Sequence, residues 1–136
     1  MVVRREALNW FKEAKVDLSR AEKAFREGDY ALSTFMSQQA CEKSFKAAYL
    51  GVARRDYPRT HDLVVLYNGL KKLIRLGREV EEMLPEVSQY YTAARYPNAG
   101  LELPSESISR LQAERALRVA REVVRVVEEA LEREDP

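Results

Sequence analysis

Residues 30–53 read YALSTFMSQQACEKSFKAAYLGVA, and their apolar side chains lie on nearly every side of a helix. At helical pitch Leu32, Phe35 and Leu50 share one side, while Cys41 lies on another. A helix that is apolar nearly all round is surrounded by other elements in a folded domain. The stretch therefore predicts a central, buried helix around which the rest of the chain packs.

The segment before residue 30 carries a single apolar stripe on an otherwise charged helix. The stripe recurs at steps of three and four residues and consists of Leu8, Phe11, Ala14, Leu18, Ala21 and Phe25. Gly28 ends this first helix, because glycine tolerates the left-handed conformation that closes many helices. Asp29 is placed to cap the second helix, so the two helices are predicted to be joined by a tight turn.

Three further helices are predicted after a loop at residues 51–60. The first of them begins at the end of this loop, carries apolar residues at helical spacing and closes at Gly77. The next spans residues 78–95, where Pro85 either kinks it or restarts it. Pro104 marks the entry to a last long helix. Because short connections make sequential helices antiparallel, we expect an all-α fold, an up-and-down bundle of four long helices plus one shorter helix.

Length and composition limit the class of protein. A chain of 136 residues with 46% hydrophobic and 33% charged residues is typical of one globular domain, spanning residues 1–136. The formal net charge of +1 gives no global attraction to nucleic acid or anionic lipid, so any anion site must be local. The abundance of Arg, Glu and Val, with few Asn and Gln, is typical of a thermophilic source.

The same sequence indicates a cytoplasmic protein. The single cysteine, Cys41, excludes an intramolecular disulfide and agrees with a reducing compartment. No uncharged apolar stretch approaches the roughly 18 residues of a membrane-spanning helix, and residues 1–6 lack the apolar core of a signal peptide. The sequence contains no glycine-rich phosphate loop, no Ser/His/Asp set and no cluster of metal ligands. We therefore expect no metal, no cofactor and no membrane association.

A polar band interrupts the apolar surface of the second helix. Gln39, Lys43 and Lys46 lie beside Glu42 at helical pitch. A buried ammonium group is costly unless it is paired, so Glu42 should neutralise one lysine, or the band should open on a crevice or a bound anion. The alternative is that both lysines extend to solvent from a half-exposed helix.

The only histidine, His61, follows a basic loop that contains Arg54, Arg55 and Arg59. A helix N-terminus with nearby guanidinium groups favours a phosphate or another anion, and a histidine there can act as a general base on a ribose hydroxyl. The alternative is structural: His61 and Asp62 satisfy helix-end amides, and the arginines are solvated.

A third candidate element lies at the end of the fourth helix. Arg95 is followed by Tyr96 and Pro97, and a planar cation at a helix end can close an anion pocket or stack on a base. Tyr90 and Tyr91, just before it, are more typical of helix packing than of base stacking.

Six short motifs follow one another along the chain: Tyr30-Ala31, Gln38-Gln39-Ala40, Glu42-Lys43, Lys46-Ala47, Thr60-His61-Asp62-Leu63 and Arg95-Tyr96-Pro97-Asn98. In this order they resemble the HEPN family, the higher eukaryotes and prokaryotes nucleotide-binding domain, in its small free-standing prokaryotic form. The resemblance covers essentially the whole chain and implies a helical bundle, commonly a homodimer. It also implies nucleotide or RNA binding and a minimal nucleotidyltransferase partner in a toxin-antitoxin-like pair.

Three functional hypotheses follow. The first is a non-catalytic binding module whose side chains from three stretches meet around a nucleotide or a partner. Its ligand-binding residues are predicted to be Gln39, Lys43, Lys46, His61, Asp62, Arg95 and Tyr96. The second is a metal-independent endoribonuclease that uses Arg55 and His61 as catalytic residues. The third is a purely structural protein-interaction partner.

The resemblance favours binding over cleavage. Many members of the family resemble ribonucleases with an arginine and a histidine four to six residues apart near a late helix of the bundle. Arg55 and His61 have that spacing but lie before the third helix, and the late Arg95 has no histidine after it.

Overall fold

The computed structural model describes residues 2–98 and 100–134, which contain six α-helices, four of them long. The helices are α1 (Val2–Arg26), α2 (Tyr30–Ala48), α3 (Leu63–Asn68), α4 (Arg78–Ala93), α5 (Pro104–Ser107) and α6 (Arg110–Glu134). A π-helical turn over Tyr49–Ala53 extends α2. The described residues contain no strand, and the predicted all-α fold is confirmed.

Helix α2 is the centre of the bundle and packs against α1, α4 and α6. Residues on most of its sides are buried, including polar ones such as Gln38, Glu42 and Ser44. The core around it is built mainly from alanine, valine and leucine, and its largest members are Tyr49, Tyr67 and Tyr90. The prediction of a central, buried second helix is confirmed.

The long helices alternate in direction. On α1 and α2 the late Phe25 faces the early Tyr30, with ring centroids 5.7 Å apart. On α1 and α6 Glu22 meets Arg121 at 3.0 Å, while Lys15 meets the later Glu128 at 3.4 Å. Pairs that join late residues of one helix to early residues of the next identify antiparallel neighbours. The long helices therefore form an up-and-down bundle.

The turn between α1 and α2 has the predicted chemistry. Gly28 has a φ of +79°, which an L side chain rarely adopts. Asp29 caps α2, since its carboxylate accepts a hydrogen bond of 3.2 Å from the amide of Leu32.

The third helix is shorter than predicted and ends at Asn68 rather than at Gly77. The hydroxyl of Tyr49 donates to the carbonyl of Leu66 at 2.8 Å, and the amide of Leu70 bonds instead to the carbonyl of Tyr67. At Leu70 the four-residue hydrogen bond of the α-helix is therefore replaced by a three-residue turn. The cause is a buried tyrosine from another element, which the local apolar spacing does not reveal.

The prediction that the last long helix begins at Pro104 is wrong. Pro104 begins the separate one-turn helix α5, and the chain is extended at Ile108 before α6 starts at Arg110. Ser109 and Gln112 cap α6 reciprocally: each backbone amide donates to the other side chain, at 2.7 and 3.1 Å. Among the described helices, none combines the length and the apolar character that crossing a membrane requires.

Candidate functional site

Glu42, on the buried side of α2, is the centre of a polar network. Its Oε2 accepts a hydrogen bond from Lys46 Nζ at 2.8 Å, and its Oε1 accepts one from Gln38 Nε2 at 3.1 Å. Gln38, Glu42 and Lys46 are four residues apart, so the helix places them in one row. Glu42 is only 4% exposed. The expectation that it pairs with one lysine of the polar band is confirmed, and that lysine is Lys46.

His61 joins this network from the loop before α3. Its Nδ1 lies 3.1 and 3.0 Å from the two carboxylate oxygens of Glu42. Its backbone carbonyl accepts a further hydrogen bond from Gln38 Nε2 at 3.1 Å. The adjacent Asp62 caps α3 by accepting from the amides of Val64 and Val65. Helix α2 and the cap of α3 thus hold both the ring and the backbone of His61.

The charge state of Glu42 follows from these contacts. Burial is the largest influence on its pKa and raises it, but the hydrogen bonds from Lys46 and Gln38, with the Lys46 charge, bring the pKa below its ordinary value. Glu42 is therefore ionised at neutral pH, and a carboxylate can only accept hydrogen bonds.

Tyr91 of α4 forms a flat platform for the imidazole. The rings of His61 and Tyr91 are stacked with centroids 3.8 Å apart and planes inclined by 12°. The Nδ1 edge of the imidazole faces Glu42 and one of its faces lies on Tyr91, yet the His61 side chain is 52% exposed. The exposed part is consequently the other face and the Nε2 edge.

Arg95, just beyond the end of α4, lies against the same tyrosine. Its Nε donates to the carbonyl of Tyr91 at 2.8 Å, and its guanidinium carbon is 4.5 Å from the centre of the Tyr91 ring. The imidazole and the guanidinium cannot share one face at these distances, so Tyr91 lies between them. We call Arg95, Tyr91 and His61, stacked in this order, the Tyr91 column.

The guanidinium of Arg95 is held by two more rings. Its carbon lies 4.6 Å from the centre of Phe35 and 4.7 Å from that of Tyr96. It has no ion-pair partner within residues 2–98 and 100–134, and the residue is exposed. A cation that is oriented by aromatic rings and lacks a carboxylate partner is suited to bind an external anion.

Lys46 is enclosed by aromatic rings on the other side of Glu42. Its Nζ is 5.1 Å from the ring centres of both Trp10 and Tyr57, and these two rings meet edge to face at 5.8 Å. Its side chain is 12% exposed. Lys46 therefore fixes Glu42, and Trp10, the only tryptophan, is a spectroscopic reporter beside the site.

The structure brings together five of the seven residues predicted to bind a ligand. Gln39 donates to Gln38 Oε1 at 2.8 Å and so joins the network of Lys46 and His61. Arg95 lies on Tyr91, which stacks on His61, and Tyr96 contacts Arg95. The other two have different partners. Lys43 is bound to Asp17 of α1 at 2.6 Å, and Asp62 is occupied as the cap of α3.

Arg55 and His61, the candidate catalytic pair, are not in contact within one chain. The guanidinium of Arg55 donates to the carbonyl of Gly69 at 2.7 Å and lies 4.8 Å from the ring centre of Tyr49. The neighbouring arginines also have partners elsewhere: Arg54 meets Glu134 and Arg59 meets Asp56.

Three residues of the site, Gln38, Glu42 and Tyr91, are absent from the ligand-binding set that the sequence predicts. A signal for the first two was present, because Gln38, Glu42 and Lys46 follow one another at intervals of four on a helix. Tyr91 gave no such signal, since its role depends on where the loop before α3 lies. The described residues contain no group of three His, Cys, Asp or Glu side chains arranged to hold a metal ion.

Comparison with known proteins identifies one family. The family model described as the HEPN domain matches residues 7–130. A solved structure from Thermus thermophilus is similar, with 30% identity, a TM-score of 0.81 and coverage of 93% of this chain and 98% of that chain. An archaeal HEPN homologue has 25% identity and a TM-score of 0.75, with the same coverage.

A third solved structure, an HEPN domain protein from Thermotoga maritima, has 25% identity and a TM-score of 0.71. It covers 92% of this chain and 98% of that chain. No curated protein matches the sequence.

Proposed function

The chain belongs to the HEPN domain family, and from this membership we propose that it is a non-catalytic module that binds single-stranded RNA or nucleotide at the Tyr91 column. The observation that carries the proposal is the column itself: a guanidinium, a phenol ring and an imidazole in one stack that ends in an open face. Flat rings and guanidinium planes are the surfaces on which proteins stack unpaired bases.

The order of the column indicates how a strand would lie. A base stacks on the open face of His61, and Arg95 lies on the far side of Tyr91. The rings of His61 and Tyr91 therefore separate the base from Arg95. A phosphate that meets Arg95 therefore belongs to a neighbouring nucleotide, or to the far end of a polyphosphate, rather than to the stacked nucleoside. This spacing favours a short single strand over a nucleoside monophosphate.

The network of Glu42 supports the same function by keeping the column rigid. The carboxylate of Glu42 holds the imidazole of His61, and Gln38 holds the backbone carbonyl of His61. Lys46 in turn holds Glu42. A binding surface built from ordered side chains loses less conformational entropy when a ligand is bound.

The test is a titration of a fluorescently labelled oligoribonucleotide, followed by anisotropy, with a panel of nucleotides as competitors. Trp10 provides a label-free second signal, because it contacts Lys46 beside the column. We expect saturable binding that weakens with salt, since a phosphate contact releases counterions. If neither the oligoribonucleotide nor any nucleotide of the panel binds at micromolar to millimolar concentration, the proposed function is wrong.

The endoribonuclease hypothesis is less well supported by the geometry. General acid-base cleavage needs a second group near the histidine to stabilise developing charge, and Arg55 lies on Tyr49 instead. A second copy of the chain would have to supply that group. Incubation of RNA with the protein in EDTA distinguishes the two functions, because the binding module leaves the RNA intact.

We also propose that the protein forms a homodimer. Its partner is a minimal nucleotidyltransferase, and the two proteins form a toxin-antitoxin-like pair. The support for this assembly is the family membership and the resemblance of the motifs that led to it. Light scattering of the purified protein tests the homodimer. Copurification with the product of a neighbouring nucleotidyltransferase gene tests the partner, and absence of a complex at micromolar concentration would contradict it.

A further inference from the structure

The contact between His61 and Glu42 defines which ring nitrogen carries the proton. Nδ1 lies within hydrogen-bond distance of both oxygens of a carboxylate that is ionised and accepts only. Nδ1 must therefore be the donor. A neutral imidazole has a single N–H, so Nε2 is left with a lone pair and can only accept.

The surroundings of the ring leave little room for another arrangement. Each oxygen of Glu42 has its own donor on α2, Gln38 for Oε1 and Lys46 for Oε2, so the carboxylate is fixed in orientation. Tyr91 covers one face of the imidazole at 3.8 Å. A rotation of the ring by half a turn would place a C–H against the buried carboxylate and forfeit a charge-assisted hydrogen bond.

We propose that Glu42 is a positioning residue that holds His61 in the Nδ1–H form, so that Nε2 accepts a hydrogen bond from a ribose hydroxyl of the bound strand. The ligand half of this inference rests on the proposed function. The positioning half depends only on the contacts among Glu42, His61, Gln38 and Lys46.

The ribose hydroxyl follows from the geometry of the ring. A base that stacks on the open face of His61 lies parallel to the imidazole and cannot reach Nε2, whose lone pair points outward in the ring plane. The group next to a stacked base is its sugar. Ribose presents a 2′-hydroxyl donor there and deoxyribose does not, so the site is expected to select RNA over DNA of the same sequence.

The positioning half is tested by long-range proton–nitrogen NMR on the ¹⁵N-labelled protein. His61 is the only histidine, so its two ring nitrogens are observed without overlap. In the neutral imidazole, observed at alkaline pH, we expect a protonated Nδ1 and an unprotonated Nε2. A spectrum with the proton on Nε2 would overturn the inference.

Variants separate positioning from general structure. In Glu42→Gln the amide no longer demands a donor, so the fraction of the Nδ1–H form should fall. Glu86→Gln is the matched control, because Glu86 is a hydrogen-bonded carboxylate on α4 with Arg115 and Tyr90 as its partners. The control should keep the wild-type spectrum. If Glu42→Gln also keeps it, Glu42 does not position the ring.

Removal of the Glu42 charge leaves Lys46 unpaired, and this alone can unfold the variant. The double variant Glu42→Gln/Lys46→Met removes both charges and is used if the single variant does not fold. The same outcomes apply to it, since neither replacement restores a carboxylate at Nδ1.

The ligand half is tested with an oligoribonucleotide and an oligodeoxyribonucleotide of equivalent sequence, using uracil in both. The wild type should bind RNA roughly fivefold more tightly, the effect of one additional hydrogen bond, and Glu42→Gln should lose this preference. Equal binding of RNA and DNA by the wild type would refute the ribose contact. If neither strand binds, the proposed function fails together with the ligand half, and the NMR spectrum alone decides the role of Glu42.

Discussion

Lys43 and Lys46, three residues apart on α2, bind different buried carboxylates. Lys43 Nζ is 2.6 Å from Asp17 of α1, whereas Lys46 Nζ is 2.8 Å from Glu42 of the candidate site. Asp17 is fully buried and also receives the guanidinium of Arg20 at 2.9 Å. One lysine of the polar band therefore joins two helices, and the other supports His61.

Replacement of Lys43 should lower stability and leave ligand binding unchanged. In Lys43→Met the buried Asp17 keeps only Arg20 as a charged partner, and a buried carboxylate that loses a partner costs roughly 2 kcal/mol. Thermal unfolding followed by circular dichroism should show a melting temperature about 6 °C lower. RNA binding should stay within twofold of the wild type, because Lys43 contacts α1 and not the column.

The control for this change is Lys15→Met. Lys15 meets Glu128 at 3.4 Å with both side chains about half exposed, so its loss should cost less than about 0.5 kcal/mol. Equal destabilisation by the two variants would mean that burial of Asp17 does not matter. A large loss of RNA binding in Lys43→Met would show that Lys43 contributes to the binding site after all.

The sequence predicts the bundle well, because helical spacing and caps are local properties. The central α2, the Asp29 cap and the turn at Gly28 all follow from residues within one or two turns of each other. The end of α3 does not, since it is set by Tyr49 from another element. Ser109 and Gln112 have the three-residue spacing of a capping box at the start of α6. Pro104 is a stronger local signal for a helix start, so the sequence places the start of α6 too early.

The candidate site was predictable only in part, for a similar reason. The polar band on α2 is visible as charge inside an apolar helix, but the sequence does not say which lysine faces which neighbour. Lys43 and Lys46 differ by three positions, about 60° on a helix. This angle places Lys43 on Asp17 of α1, and Lys46 on Glu42 and beside Tyr57 of the loop before α3. Tyr91 is brought to His61 solely by tertiary packing.

Gly69→Ala tests the explanation for the early end of α3. The φ of Gly69 is −78°, so the backbone itself accepts alanine, but the added Cβ would overlap the hydroxyl of Tyr49. We expect a loss of about 1–2 kcal/mol from displacement of that hydroxyl and its bond to Leu66, measured by urea unfolding. In Gly77→Ala the new Cβ has only ordinary contacts near Glu122, and stability should change by less than about 0.5 kcal/mol.

The stability of the fold should fall steeply in acid. The hydrogen bonds from Arg115 have the largest effect on the pKa of Glu86 and lower it, and the hydrogen bond from Tyr90 lowers it further. The pKa of Glu42 is also lowered, although its burial acts in the opposite direction. A carboxyl with a lower pKa in the folded than in the unfolded state binds fewer protons when folded. Its contribution is present above the unfolded value of about 4.3 and is lost as the pH falls through the lower folded value.

The measurement is the melting temperature between about pH 6 and pH 3. Glu86→Gln should flatten this profile, because the amide does not titrate while Arg115 and Tyr90 remain. Glu82→Gln is the control, since Glu82 forms only an exposed surface pair with Arg78. An equally steep profile in Glu86→Gln and in the wild type would show that the Arg115 pair contributes nothing to acid sensitivity.

Arg95→Gln should weaken RNA binding and its dependence on salt. The guanidinium is oriented by three aromatic rings and has no ion-pair partner in the described part of the chain, so we assign it one phosphate. Loss of one contact with single-stranded RNA should reduce the slope of log K against log salt by about 0.7 and the affinity by roughly tenfold. Arg78→Gln, the same charge change at a 95% exposed arginine of α4, should keep the wild-type slope. If both variants lose the same slope, general attraction rather than the Tyr91 column binds the strand.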